Sequence, residues 1–222
     1  MIPIKVLVPS GVLGLGFDLE ALNNGVKNNP DIISIDGGST DSGPYSLGSG
    51  TSKYSRAAIK AEWKSLMIAR KKANVPLVIG SCGTCGTNGM VDWMENITIE
   101  LAEELNQNIK IAKLYCQQEK NFIKKKFQLS KIFPLNPAPM LNDQLIDEMT
   151  NIVALAGAEQ IQECINTGAE IILAGRTTDT AIISALPLMK GANPGSSWQG
   201  SKVVECGALC STNPTSGVVM VE

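Results

Sequence analysis

The residues able to do chemistry are concentrated in four loops. The richest runs from Asp36 to Gly50 (DGGSTDSGPYSLGSG) and holds two carboxylates, Asp36 and Asp41, with hydroxyls at Ser39, Thr40, Ser42 and Tyr45. Glycines at 37, 38, 43, 48 and 50 can leave backbone N–H groups open to an anion. A loop of this length inside a compact chain marks a functional or a disordered segment; Asp36 and Asp41 holding turns together is the competing structural role. A second loop, Gly175-Arg-Thr-Thr-Asp179, offers Arg176 as a two-pronged partner for a carboxylate or phosphate. Asp179 there is either catalytic or the cap of the helix that follows. A third, Gly80–Gly89, carries Cys82-x-x-Cys85 and the small residues Ser81, Gly83 and Gly86. Its thiols read as a redox pair, half of a metal site, a nucleophile, or packing in a tight loop, the last being favoured. Its N–H groups are candidates for holding an anion or oxyanion. Glu205, in Glu205-Cys206-Gly207, adds a further carboxylate.

The fourth loop, Gly11–Gly16, follows an apolar run and precedes a helix, and Asp36 stands 20 residues beyond Gly16. Dinucleotide sites need the order G-x-G-x-x-G. Here the order is G-x-x-G-x-G, which reads instead as a tight turn using glycine dihedrals. Asp36-Gly-Gly-Ser-Thr has a weak likeness to the phosphate loop of actin-like ATPases, so nucleotide binding is a minor alternative.

The chain has no histidine, which removes His-based triads, His metal ligands and His general bases. Proton transfer falls to Asp, Glu, Lys, Tyr, Cys or water. Six cysteines in a chain of 222 residues read as reduced thiols rather than a disulfide scaffold. The sequence names no metal set and no cofactor. A net charge of −2 gives a nucleic-acid partner no electrostatic support. The lysines at 120, 124, 125, 126 and 131 read as a solvated face rather than a phosphate patch. No apolar run approaches a membrane span and no leader is evident, so a cytoplasmic location is expected.

The elements that must position these loops alternate. Strands are expected at Ile4–Val8, Ile32–Ile35, Pro76–Ile79, Ile109–Tyr115 and Glu170–Leu173, with a sixth strand or edge segment beginning at Val203. Helices are expected at Phe17–Asn28, Ser55–Asn74, Met90–Leu105, Glu119–Gln128, Asn142 to about Leu155, Ala158–Thr167 and Thr180–Leu188. Residues 39–54 are expected to be loop, and Gly157 to end the helix begun at Asn142. Hydrophobic residues are 44% and charged residues 18%, a globular balance. The alternation predicts one α/β domain, 1–222, with a mostly parallel sheet and helices on both faces. Such sheets bind ligands beyond the carboxyl ends of their strands, where the glycine-rich loops fall.

At those loops the chain resembles the N-terminal domain of the acyclic terpene utilisation (AtuA-like) family. Five segments carry the likeness: Pro9–Phe17, Ile35–Gly50, Leu77–Gly86, Ala169–Asp179 and Val204–Gly207. The resemblance implies catabolism of acyclic terpenoid or branched acids, as carboxylates or coenzyme A thioesters, and supplies no reaction. Family members usually carry small residues where this chain has Cys82 and Cys85, and many carry a histidine in the region of Ser197–Gly200. They also generally continue further, so a short member, a fragment, or one subunit of a split protein whose C-terminal part comes from a partner are the expectations, with self-association a further one. The expected site has Asp36, Asp41 or Asp179 moving protons. Gly37, Gly38, Ser39, Thr40, Gly43, Tyr45, Ser81, Gly83, Gly86, Arg176 and Glu205 would surround the ligand. A non-catalytic binding subunit is the alternative.

Overall fold

The computed structural model describes residues 3–38, 43–138 and 140–222. Five short strands lie parallel: β1 (Val6–Val8), β2 (Ile32–Asp36), β3 (Leu77–Gly80), β4 (Ile111–Leu114) and β5 (Ile171–Ala174). A sixth, β6 (Val219–Val221), pairs antiparallel with β1. The order across the sheet is β4-β5-β3-β2-β1-β6. The fold is α/β, with a mostly parallel sheet, as the alternation predicts.

The strands read as continuous apolar runs because both faces are covered. Leu7, Ile33, Ile35, Leu77, Ile79, Ile171 and Leu173 point to one face. There they meet α1 (Leu19–Lys27), α3 (Arg56–Ala73) and α4 (Asn88–Glu104). Their alternates Val6, Val8, Ile32, Val78, Ile172 and Ala174 meet α7 (Ala158–Asn166), α8 (Ala181–Met189) and α9 (Pro194–Val204) on the other. Period-two alternation thus sorts each strand between two cores. In α3 the stripe Ile59, Trp63, Leu66 and Met67 is buried, as its spacing predicts. The hydroxyl of Ser55 caps its start, and Asn74 ends it in a left-handed conformation. The Trp63 indole donates to the Thr98 hydroxyl of α4 at 2.9 Å, so the buried N–H has a partner.

Strand order creates the crevice. β1, β2 and β3 advance side by side, β4 lands at the far edge, and β5 returns between β3 and β4. The helix after β3, α4, therefore lies on one face, and the helix after β5, α8, on the other. Where adjacent connections leave in opposite directions, a cleft opens above the strand ends.

Three segments depart from expectation. Residues 45–49 form a short helix, α2 (Tyr45–Ser49), where loop was expected. The helix capped by Asn142, α6 (Asp143–Glu148), stops early, and residues 149–157 cross the molecule as a strap. Two isolated bridges, Gln117–Val153 and Ala156–Thr177, fix that strap. Gly157 does not end a helix; its N–H donates to the Gln160 side chain at the start of α7. Val203 belongs to no strand or sheet edge. It lies on α9, whose start is fixed by Pro194 at its first turn and an Asn193 side chain accepting from Ser196. The edge is supplied by β6 after two 3-10 turns, Gly207–Cys210 and Pro214–Ser216. The lysine-rich α5 (Lys120–Gln128) buries none of its residues.

Candidate functional site

Asp36 is the last residue of β2 and pairs in register with Gly80, the last of β3. The loops above these strands interlock through their backbones. Gly37 N–H donates to the Gly80 carbonyl at 2.7 Å, Ser81 N–H to the Gly175 carbonyl at 2.9 Å, and Gly86 N–H to the Cys82 carbonyl at 3.0 Å. A Cβ at Gly37 would sit 2.4 Å from the Ser81 carbonyl oxygen, and one at Gly86 would sit 2.3 Å from the Arg176 nitrogen. Gly83 lies under Met90 in the same way. Gly37, Gly83 and Gly86 thus let three loops pack against one another, and the N–H groups of Gly37 and Gly86 already donate within the protein. Two non-glycine residues take left-handed backbone here, Ser81 (φ 47°) and Thr84 (φ 69°), a conformation that the interlocked loops must hold.

Arg176 is buried at the centre of this interlock. Its Nη1 donates to the Gly38 carbonyl (3.0 Å), the Ser81 hydroxyl (3.1 Å) and the Thr84 carbonyl (3.4 Å). A guanidinium has five N–H groups. Ser81 therefore acts through Arg176, which it helps to aim, and through the backbone of Thr177.

Two cavities meet at Thr84. One, of about 510 Å³, is lined by Gly43, Pro44, Leu47, Val153, Leu155 and Arg176 among others. Its walls are mainly apolar and its charged member is Arg176. The second, of about 190 Å³, has Asp36, Gly38, Asp179 and Glu205 on its wall with Lys53, Tyr54 and Cys206. Asp36 is 4% exposed. One carboxyl oxygen, Oδ2, accepts from Gly38 N–H at 3.1 Å, and the other, Oδ1, has no partner among the described residues. Burial, then the negative charge of Asp179, pushes this carboxyl up to about 7; the Arg176 charge and the N–H groups of Gly38 and Gly37 pull the other way. Burial also drives the Cys82 thiol well above the ordinary thiol range, with Asp36 adding to the effect, so Cys82 is a protonated core residue. Glu205 forms an ion pair with Lys202.

Of the residues expected from sequence, Asp36, Gly38, Asp179 and Glu205 come together on one cavity and Gly43 and Arg176 on the other. Tyr45 is 78% exposed and stands outside the lining of both. Ser39, Thr40 and Asp41 lie outside the described residues. Among the described residues, no group of three or more acidic or thiol side chains is arranged to hold a metal ion. No described helix is long and apolar enough to cross a membrane. Cys206, Lys53, Tyr54, Thr84, Leu47, Val153 and Leu155 were not expected. Cys206 is adjacent to Glu205 and was legible as part of the same motif; Val153 and Leu155 were concealed by reading the strap as helix. In the Gly11–Gly16 turn Gly14 serves packing, its N–H donating to Glu62 and a Cβ there meeting the Tyr54 ring at 2.5 Å, while Gly11, Val12 and Leu15 line the smaller cavity.

The family model for the acyclic terpene utilisation family protein AtuA matches residues 46–211. The chain belongs to this family. The match spans the Cys82 loop, the strap, the Arg176 loop and Glu205-Cys206-Gly207. No curated protein and no solved structure matches the chain. Membership links the chain to acyclic terpene utilisation.

Proposed function

We propose that the crevice binds an acyclic, branched carboxylic acid or its coenzyme A thioester and performs proton transfer on it. The branched chain lies in the apolar compartment between Leu47, Val153 and Leu155, and its polar end meets Arg176. Asp36 gives or takes the proton, with its burial and then the charge of Asp179 keeping the carboxyl poised near neutrality. Asp41 is the further acid–base candidate.

The observation that carries this reading is Asp36: a buried carboxyl with one oxygen unpartnered, held near 7, on the wall of a cavity. Ordinary structural carboxylates are hydrogen-bonded and ionised well below neutrality. A group poised near the working pH is what general acid–base catalysis requires.

Thermal unfolding measured with branched acids, their coenzyme A thioesters and straight-chain equivalents tests it. Stabilisation by the branched compounds is expected, weaker in Arg176→Ala and in Leu155→Asp. Leu155 is 58% exposed, so its substitution leaves the core intact. Absence of stabilisation by any of these compounds at millimolar concentration overturns the reading.

A further inference from the structure

The nucleophile of this site is assigned by position. Six cysteines divide into four that are buried (82, 85, 116 and 164) and two that are exposed, Cys206 and Cys210. Cys206 lines the same small cavity as Asp36, whose Oδ1 is buried and has no partner among the described residues. Two glycines hold it there. A Cβ at Gly11 would lie 2.9 Å from the Cys206 carbonyl carbon, so the turn after β1 presses on the Cys206 backbone. Gly207 takes a left-handed conformation (φ 64°), and a Cβ on it would stand 2.6 Å from the Gly217 carbonyl oxygen. Three chain segments thus converge to fix this residue, a cost in packing freedom that a surface cysteine with no role does not require. Charge around the thiol is mixed. Lys202 lies close enough for its ammonium to feel a Cys206 thiolate, and Lys53 is on the cavity wall.

We propose that Cys206 is the catalytic nucleophile of this crevice, accepting the acyl group of a thioester substrate; the proposal rests on the reading of the crevice given above. The Cys206 thiol passes its proton to the Asp36 carboxylate on the same wall, and Sγ attacks the thioester carbonyl carbon, forming a C–S bond. The negative charge that develops on the carbonyl oxygen is met by the Lys53 ammonium. Collapse breaks the bond to the departing sulfur, and that thiolate takes the proton back from Asp36. The products are S-acyl-Cys206 and a free thiol, with no change of oxidation state. The step is reversible, so a second thiol can collect the acyl group.

The test is thioester exchange. The full chain is incubated with a branched acyl-CoA and isotope-labelled pantetheine, and labelled acyl-pantetheine is followed by mass spectrometry. Wild type and Cys210→Ser are expected to exchange equally, Cys206→Ala to lose at least 100-fold, and Asp36→Asn at least tenfold. Acid-quenched digests are expected to carry the acyl group on Cys206. Binding is followed in parallel by thermal shift. Retained binding with lost exchange in Cys206→Ala supports the proposal. Exchange undiminished in Cys206→Ala, or absent in a wild type that binds the thioester, overturns it while leaving the binding reading intact. A wild type that binds nothing overturns both.

Discussion

The Asp36 carboxyl makes a prediction about folding that needs no substrate. Its folded value is about 7 against an ordinary value of 3.8. Below pH 3.8 the group is protonated in both states, and the stability tied to its proton is fully present. As pH rises the unfolded chain loses the proton first, so the folded state is progressively penalised until the group ionises there too, through pH 7. One pKa unit corresponds to about 1.4 kcal/mol. Integrated between pH 5 and pH 8, this single group withdraws roughly 2–3 kcal/mol of stability. For a chain of this size that corresponds to about 5–10 °C in Tm. Asp36→Asn keeps the shape and cannot ionise. Thermal unfolding of both proteins from pH 5 to pH 8.5 cancels every other titration common to them. The Tm of the variant minus that of wild type is expected to grow as pH rises, levelling above about pH 8. Parallel curves across the whole range would refute the assignment of a buried, near-neutral carboxyl to Asp36. The same residue that gains stability on substitution is the one proposed to move a proton, so stability and activity should change in opposite directions.

Other predictions follow from the packing. Gly37→Ala places a Cβ 2.4 Å from the Ser81 carbonyl oxygen and should cost more than about 3 kcal/mol or prevent soluble expression. Gly89→Ala, on α4 with open space around it, should instead stabilise by roughly 0.5–1 kcal/mol by urea unfolding. Glu170 accepts from the buried Arg70 guanidinium at 2.7 Å and from Lys110 N–H at 3.0 Å. Glu170→Ala strands that cation and should cost about 2 kcal/mol by urea unfolding, the partial exposure of Glu170 keeping it below the loss for a fully buried pair. A thiol reagent should titrate two cysteines quickly in the native protein, Cys206 and Cys210, and the other four only after denaturation.

How far sequence reaches depends on whether a signal is local. The stripe Ile59, Trp63, Leu66 and Met67 is local, as are the caps Ser55 and Asn142, and these were legible. So was the placing of Asp36, Arg176 and Asp179 at strand ends, because each follows an apolar run in a parallel sheet; Glu205 instead follows the helix α9. What failed was weak local chemistry overridden by distant partners. The run from Gly195 to Ser201 has poor helix formers, yet α9 stands because Ser184 and Ser201 hydroxyls meet at 2.7 Å and Val204 is buried against α8 and the sheet. The strap at 149–157 has apolar residues at helical spacing, but its bridges to Gln117 and Thr177 hold it extended. Three-residue β6 exists only because β1 is beside it.

Strand order was the other hidden quantity, and it decides the site. Had β4 simply followed β3 in the sheet, all connections would leave on one face, and the loops after β3 and β5 would not part. The insertion of β5 between β3 and β4 brings Gly80 of β3 and Thr177 of the loop after β5 together, so that a Cβ at position 80 would stand 2.3 Å from the Thr177 hydroxyl and glycine fits there. Asp36 pairs in register with that same glycine. Its carboxyl is therefore carried under the loop that brings Arg176 and Asp179 across, 140 and 143 residues further along the chain. That loop is the source of both the charge that raises Asp36 and the charge that tempers it. The near-neutral carboxyl is thus a consequence of topology, and no reading of the residues around position 36 alone contains it.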